Sequence, residues 1–193
     1  MVWIETPTNP TMKLIDIQEV SKAVKAVNPN IIVVVDNTFS SPYLTSPLLL
    51  GADISYHSLT KYIGGHSDFV MGAAVFKDKE LHDKVYFAAY SLGANPSPFD
   101  CYLALRGLKT LELRVVESTK NAYHIAHYLT TNPHVETTIY PGLKDNRYHE
   151  VAKKQMRGFG GMITFRINGG KAQVSKFLKA LTIFTLAESL GGV

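Results

Sequence analysis

Short apolar runs and stripes of apolar residues at helical spacing take turns along the chain. Val2–Ile4 is strand-like and leads into Thr6-Pro7-Thr8-Asn9-Pro10, where two prolines fix φ and bias the residues before them to extended backbone. From Asp16 to about Val27, residues Ile17, Val20, Ala23, Val24 and Val27 recur at helical spacing until Asn28-Pro29-Asn30 closes the segment. Ile31–Val35 is an unbroken β-branched run, the mark of a strand covered on both faces of a parallel sheet. Strand, helix and strand make a βαβ unit. Asp53–His57 and Phe69–Phe76 read as further strands, and Lys79–Ser91 as an amphipathic helix. From Pro98 to about Thr131, Cys101, Leu105, Leu108, Val115, Ala122, Ala126 and Leu129 share one stripe, which predicts a single long helix despite Gly107. Val135–Tyr140, Met162–Ile167 and Ile183–Leu186 follow as strands, with a helix at about Lys171–Lys179.

This order predicts an α/β protein with a mainly parallel sheet flanked by helices. Because the parallel rhythm weakens after the long helix, residues 1–113 are expected to form part of a large domain and 114–193 the start of an incomplete α+β domain. Composition narrows the class further. Of 193 residues, 46% are hydrophobic and 19% charged, which excludes disorder, collagen and coiled coil. The net charge of +4 comes without a clustered basic patch, so nucleic-acid binding is not expected. The single cysteine, Cys101, cannot close an intramolecular disulfide and points to a reducing, cytoplasmic setting. The longest apolar run, Phe69–Phe76, spans eight residues, well short of the roughly eighteen that a membrane helix needs. With Val2–Ile4 directly after Met1 and Ser-Leu-Gly-Gly-Val at the end, neither terminus has the loose polar tail of a domain boundary. The chain is expected to be an excerpt of a longer protein.

Two strand ends carry candidate chemistry. Asp36 closes the strand Ile31–Val35, and in open α/β sheets ligands bind beyond the carboxyl ends of strands. His57-Ser58-Leu59-Thr60-Lys61 follows the next strand; an amine there can attack a carbonyl, and flanking hydroxyls suit a phosphate. An acid, an amine and hydroxyl donors are what pyridoxal phosphate requires for its ring nitrogen, its aldehyde and its phosphate. Ser58-x-x-Lys61 also matches the acylating motif of penicillin-interacting enzymes, but no Ser-Asp-Asn or Lys-Thr-Gly partner is present. The seven histidines include no metalloprotease or zinc-finger spacing, so no metal is expected. Arg106, Lys109 and Arg114 read as a solvated or inter-subunit helix face, and Cys101 as a small buried residue.

The chain resembles the pyridoxal-phosphate enzymes of cysteine and methionine metabolism, within them most the cystathionine γ-lyase branch. The resemblance is carried by Ile4-Glu5-Thr6-Pro7-Thr8-Asn9-Pro10, Val35-Asp36-Asn37-Thr38-Phe39, Gly51-Ala52-Asp53-Ile54, His57-Ser58-Leu59-Thr60-Lys61-Tyr62, Gly65-His66-Ser67-Asp68, Arg106-Gly107-Leu108-Lys109-Thr110-Leu111 and Leu186-Ala187-Glu188-Ser189-Leu190-Gly191-Gly192. It implies an aspartate-aminotransferase-like, fold type I large domain and a homotetramer. It also implies that Lys61 holds the cofactor and acts as the catalytic base, that Asp36 pairs with the ring nitrogen, that Ser58 and Thr60 bind phosphate, and that Asn9 bonds the ring hydroxyl. Ser189 and Glu188 are implied to lie near the substrate. The implied reaction cleaves cystathionine to cysteine, 2-oxobutanoate and ammonia; γ-synthase, β-lyase and methionine γ-lyase activities share most of these motifs. The matched stretches correspond to the middle of such an enzyme. The cofactor-stacking tyrosine, a phosphate-binding turn and the arginine for the substrate carboxylate are expected outside this chain.

Overall fold

The computed structural model describes residues 1–193. Four strands form the main sheet: β1 (Val2–Glu5), β2 (Val33–Asp36), β3 (Ile54–Ser58) and β4 (Gly72–Phe76), in the order β1-β2-β3-β4. The first three pair in parallel, with Glu5 opposite Asp36 and Asp36 opposite Tyr56, and β4 runs antiparallel to β3. The expected α/β architecture is therefore present, with an antiparallel edge strand that its sequence did not distinguish from the others. Helix α1 (Ile17–Val27) begins where the Asp16 carboxylate accepts the N–H of Glu19 at 3.1 Å, satisfying one orphan donor of the first turn. It packs Ile17 and Val24 against Val33, Val35 and Ala52, which are fully buried.

The rim of this layer is pinned by Asp53. One of its oxygens accepts from Lys25 Nζ at 2.6 Å and from the N–H of Val33 at 2.8 Å. Between β2 and β3 lie the short helix α2 (Ser41–Leu44) and a 3-10 turn at Pro47–Leu50. Helix α3 (Lys79–Ser91) follows β4, capped by Asp78, and it contains no buried residue.

The long helix expected over Pro98–Thr131 is two helices, α4 (Pro98–Leu108) and α5 (Leu111–Thr131), broken at Lys109-Thr110. The cause is competition for the Gly107 carbonyl. It accepts from Thr110 N–H at 3.1 Å, Thr110 Oγ1 at 3.2 Å and Arg114 Nη2 at 2.8 Å, so the next turn cannot continue in register. Beyond α5, β5 (Val135–Ile139) pairs antiparallel with β6 (Thr164–Ile167), and α7 (Lys171–Ala180) follows. Helix α6 (His149–Gln155) was not expected: only Ala152 of it is buried, so it carries almost no apolar periodicity. It docks through Gln155, whose amide accepts from the Ile17 N–H at 3.1 Å and donates to the Ile15 carbonyl at 2.9 Å. Ile183–Leu186 is not a strand; Ile183, Phe184 and Leu186 are exposed, and with no neighbouring strand to take their backbone groups a lone extended segment gains nothing.

Candidate active site

The carboxyl ends of β2 and β3 lie side by side, which brings Asp36 next to the segment that carries Lys61. Asp36 Oδ1 accepts the N–H of Thr38 at 3.0 Å, and Thr38 Oγ1 in turn accepts the N–H of Ser58 at 2.9 Å. This relay ties the acid of one strand end to the hydroxyl residue of the next. The second Asp36 oxygen and the Ser58 hydroxyl have no protein hydrogen-bond partner, and both residues are half-buried. Thr38 was not singled out from the sequence; its only sign there was membership of Asp36-Asn37-Thr38-Phe39.

After Ser58 the chain turns tightly. The N–H of Gly64 donates to the Leu59 carbonyl and that of Gly65 to the Lys61 carbonyl, both at 2.8 Å. Tyr62 and Ile63 of this turn are anchored in a cluster with Leu44, Leu111 and Val115, and burial pushes the Tyr62 phenol up to about 12. Its anchored neighbours leave Lys61 at the surface of the turn, where Nζ donates to Ser189 Oγ at 3.2 Å. That contact spans 128 residues of sequence. The segment carrying Ser189 is held just beyond it: Val193 N–H donates to the Gly65 carbonyl at 3.0 Å, and Gly191, with φ +76°, approaches so closely that a Cβ would stand 2.8 Å from the Tyr62 nitrogen.

Asp36 and Ser58 are thus joined through Thr38 at neighbouring strand ends, and Lys61 meets Ser189 on the turn that follows Ser58. The other three expected residues are placed differently. Thr60 Oγ1 accepts the Met71 N–H at 3.1 Å and faces the Met71 carbonyl at 3.5 Å. Asn9 is exposed, its backbone N–H donating to Glu5 Oε1 at 3.0 Å, with no hydrogen bond to Asp36 or Lys61. Glu188 is exposed and makes no ion pair. Arg114, expected on a solvated face, instead reaches the turn after Lys61, where Nη1 donates to the Tyr62 carbonyl at 2.6 Å.

In β3, His57 is buried with Nε2 at 3.0 Å from Ser55 Oγ. Burial lowers its pKa against the opposing pull of Asp36, so the ring is neutral near pH 7. No group of three or more His, Cys, Asp or Glu side chains is arranged to hold a metal ion.

The family model described as "Cys/Met metabolism PLP-dependent enzyme" matches residues 1–193. The chain belongs to this family. It is 53% identical over 193 residues to cystathionine gamma-lyase of Dictyostelium discoideum and 54% identical over 192 residues to that of Homo sapiens, covering all of this chain and 49% and 47% of those proteins. Among solved structures it is similar to cystathionine gamma synthase from Xanthomonas oryzae pv. oryzae in complex with cystathionine, with TM-score 0.96, 48% identity, and coverage of 100% of this chain and 49% of that one. The chain spans about half the length of the relatives it matches. A carboxylate with a free oxygen, an unpartnered hydroxyl and an amine whose one protein contact is a serine fit the family's cofactor, pyridoxal phosphate.

Proposed function

We propose that this chain carries the cofactor lysine of a pyridoxal-phosphate-dependent carbon–sulfur lyase that cleaves cystathionine, with water, to cysteine, 2-oxobutanoate and ammonia. The observation that carries the reading is the 3.2 Å contact of Lys61 Nζ with Ser189 Oγ, on the turn that follows the β3 end paired with Asp36. When bound, the cofactor supplies an electron sink for the carbanion formed at the amino acid's Cα. Asp36 holds the proton on the ring nitrogen by charge pairing. Lys61 binds the aldehyde, and once its amine is released it takes and returns protons at Cα and Cβ. Ser189 orients that amine, and the Thr38 relay fixes Asp36 relative to Ser58. In this reading Ser58 and Thr60 contribute to phosphate binding, Asn9 to the ring hydroxyl, and Ser189 and Glu188 lie near the substrate.

The test is to incubate the purified chain with pyridoxal phosphate, reduce with borohydride, and locate the pyridoxyl label by mass spectrometry while assaying 2-oxobutanoate from cystathionine. A label on Lys61 with ketoacid release supports the reading. No label and no ketoacid would sink it.

Similarity to a γ-synthase bound to cystathionine favours a second reading, in which the whole enzyme forms cystathionine from cysteine and an activated homoserine. Comparing both substrates in the longer enzyme decides between them. A different observation supports a third: Tyr86, Phe87, Tyr90, Phe99, Tyr102 and Leu105 on α3 and α4 are exposed apolar side chains, a surface suited to association with further subunits of the same enzyme. In that reading the chain acts only within such an oligomer, in the cytoplasm, and the isolated chain releases no ketoacid.

A further inference from the structure

Arg114 lies in the first turn of α5, yet its guanidinium is turned back onto the segment that follows the cofactor lysine. Nη1 donates to the Tyr62 carbonyl at 2.6 Å, Nη2 to the Ile63 carbonyl at 3.2 Å and the Gly107 carbonyl at 2.8 Å, and Nε to Thr110 Oγ1 at 3.0 Å. All three nitrogens are engaged, and no carboxylate accompanies them. The Leu59–Gly65 turn closes its own Leu59 and Lys61 carbonyls through Gly64 and Gly65; the Tyr62 and Ile63 carbonyls that it leaves open are the ones Arg114 takes.

Two glycines make room for this. A Cβ on Gly65, whose φ is +74°, would stand 2.2 Å from Arg114 Nη1, and a Cβ on Gly107 would stand 2.3 Å from the Gly64 carbonyl oxygen. The planar fork of arginine suits several carbonyls at fixed angles, which a lysine ammonium reaches only in part. Charge-assisted bonds of this kind are about twice as strong as neutral ones.

We propose that Arg114 is the positioning residue for Lys61: it clamps the turn that carries the amine, so that Nζ is presented to Ser189. The proposal rests on the cofactor role of Lys61 given above. Its test uses Arg114→Met and Arg114→Lys in the 193-residue chain, with amide hydrogen exchange and the share of borohydride-fixed pyridoxyl label on Lys61 relative to exposed Lys13.

In Arg114→Met the Gly64 and Gly65 amides are expected to exchange at least about tenfold faster, with β2 amides unchanged, and the Lys61 share is expected to fall at least about tenfold, the effect that even one of the four lost charge-assisted bonds would have. Arg114→Lys should recover part of both. Wild-type exchange at Gly64 and Gly65, or a wild-type Lys61 share in a folded Arg114→Met chain, overturns the proposal. If Arg114→Met does not fold, Arg114→Lys and Thr110→Val carry the same two measurements with smaller shifts in the same direction. If the wild-type chain takes no label on Lys61, the cofactor reading fails, and the exchange rates still decide whether Arg114 clamps the turn.

Discussion

Gly107 of α4 and Gly64 of the lysine turn pack backbone against backbone, with only 2.3 Å between a Cβ built on Gly107 and the Gly64 carbonyl oxygen. Nothing at that contact is a flexible side chain end, so an added methyl must displace one of the two segments. Gly107→Ala is expected to lose about 2 kcal/mol in urea unfolding: a backbone clash sits at the upper end of the roughly 1–3 kcal/mol of overpacking, less the roughly 1 kcal/mol that alanine gains in a helix. An unchanged urea midpoint would mean that the two segments are not in contact.

Asp36→Asn separates charge from shape. The amide oxygen still accepts the Thr38 N–H seen at 3.0 Å, so the fold should hold within about 0.5 kcal/mol. Cofactor affinity measured by absorbance titration is expected to fall between tenfold and about a hundredfold, the range for losing one hydrogen bond to a charged group.

Ser189→Ala removes the one protein contact of the Lys61 amine, at 3.2 Å between exposed groups. Thermal unfolding should scarcely move. In the longer enzyme kcat is expected to drop to about a fifth, matching roughly 1 kcal/mol for a neutral acceptor, while kcat at the wild-type value would remove Ser189 from the site.

Asp53 is a matter of stability alone. It is nearly buried and serves both Lys25 Nζ at 2.6 Å and the Val33 N–H at 2.8 Å. Asp53→Ala strands the N–H inside the sheet and leaves the Lys25 ammonium with only the Ile31 and Pro29 carbonyls, for an expected loss of about 3 kcal/mol in urea unfolding. A loss under about 1 kcal/mol would show that water replaces the carboxylate at little cost.

The buried imidazole of His57 makes stability depend on acid. Its folded pKa is lowered by burial, with Asp36 opposing, so the unfolded chain protonates first as the pH falls. The contribution is whole above the ordinary value of about 6.5 and drains away below it, down to the depressed folded value. The urea midpoint is expected to fall between pH 7.5 and 5.5, and His57→Gln should flatten that slope; parallel slopes would put the titrating group elsewhere.

What could be read from the sequence was what local order encodes. The β-branched run around Val33–Val35 and the stripe from Ile17 to Val27 appear in the structure as β2 and α1, because each needs only its own periodicity and one covering layer. Lys61, Asp36 and Ser58 stand out as candidates because strand ends and residue chemistry coincide in the chain. Arg114 and the break at Lys109-Thr110 do not, because three of the four acceptors of Arg114 are backbone carbonyls, up to 52 residues away, and any residue supplies a carbonyl. Ile183–Leu186 misled for the converse reason: apolar composition does not provide the neighbouring strand that a sheet needs.

The bond from Ser189 to Lys61 also sets an order of events. A chain made from its N-terminus completes Asp36, the β3 end and the lysine turn before residues 189–193 exist, yet those residues supply the hydroxyl on the amine and the N–H on Gly65. During synthesis, the lysine amine is therefore without its hydroxyl neighbour until Ser189 has been made and has folded back.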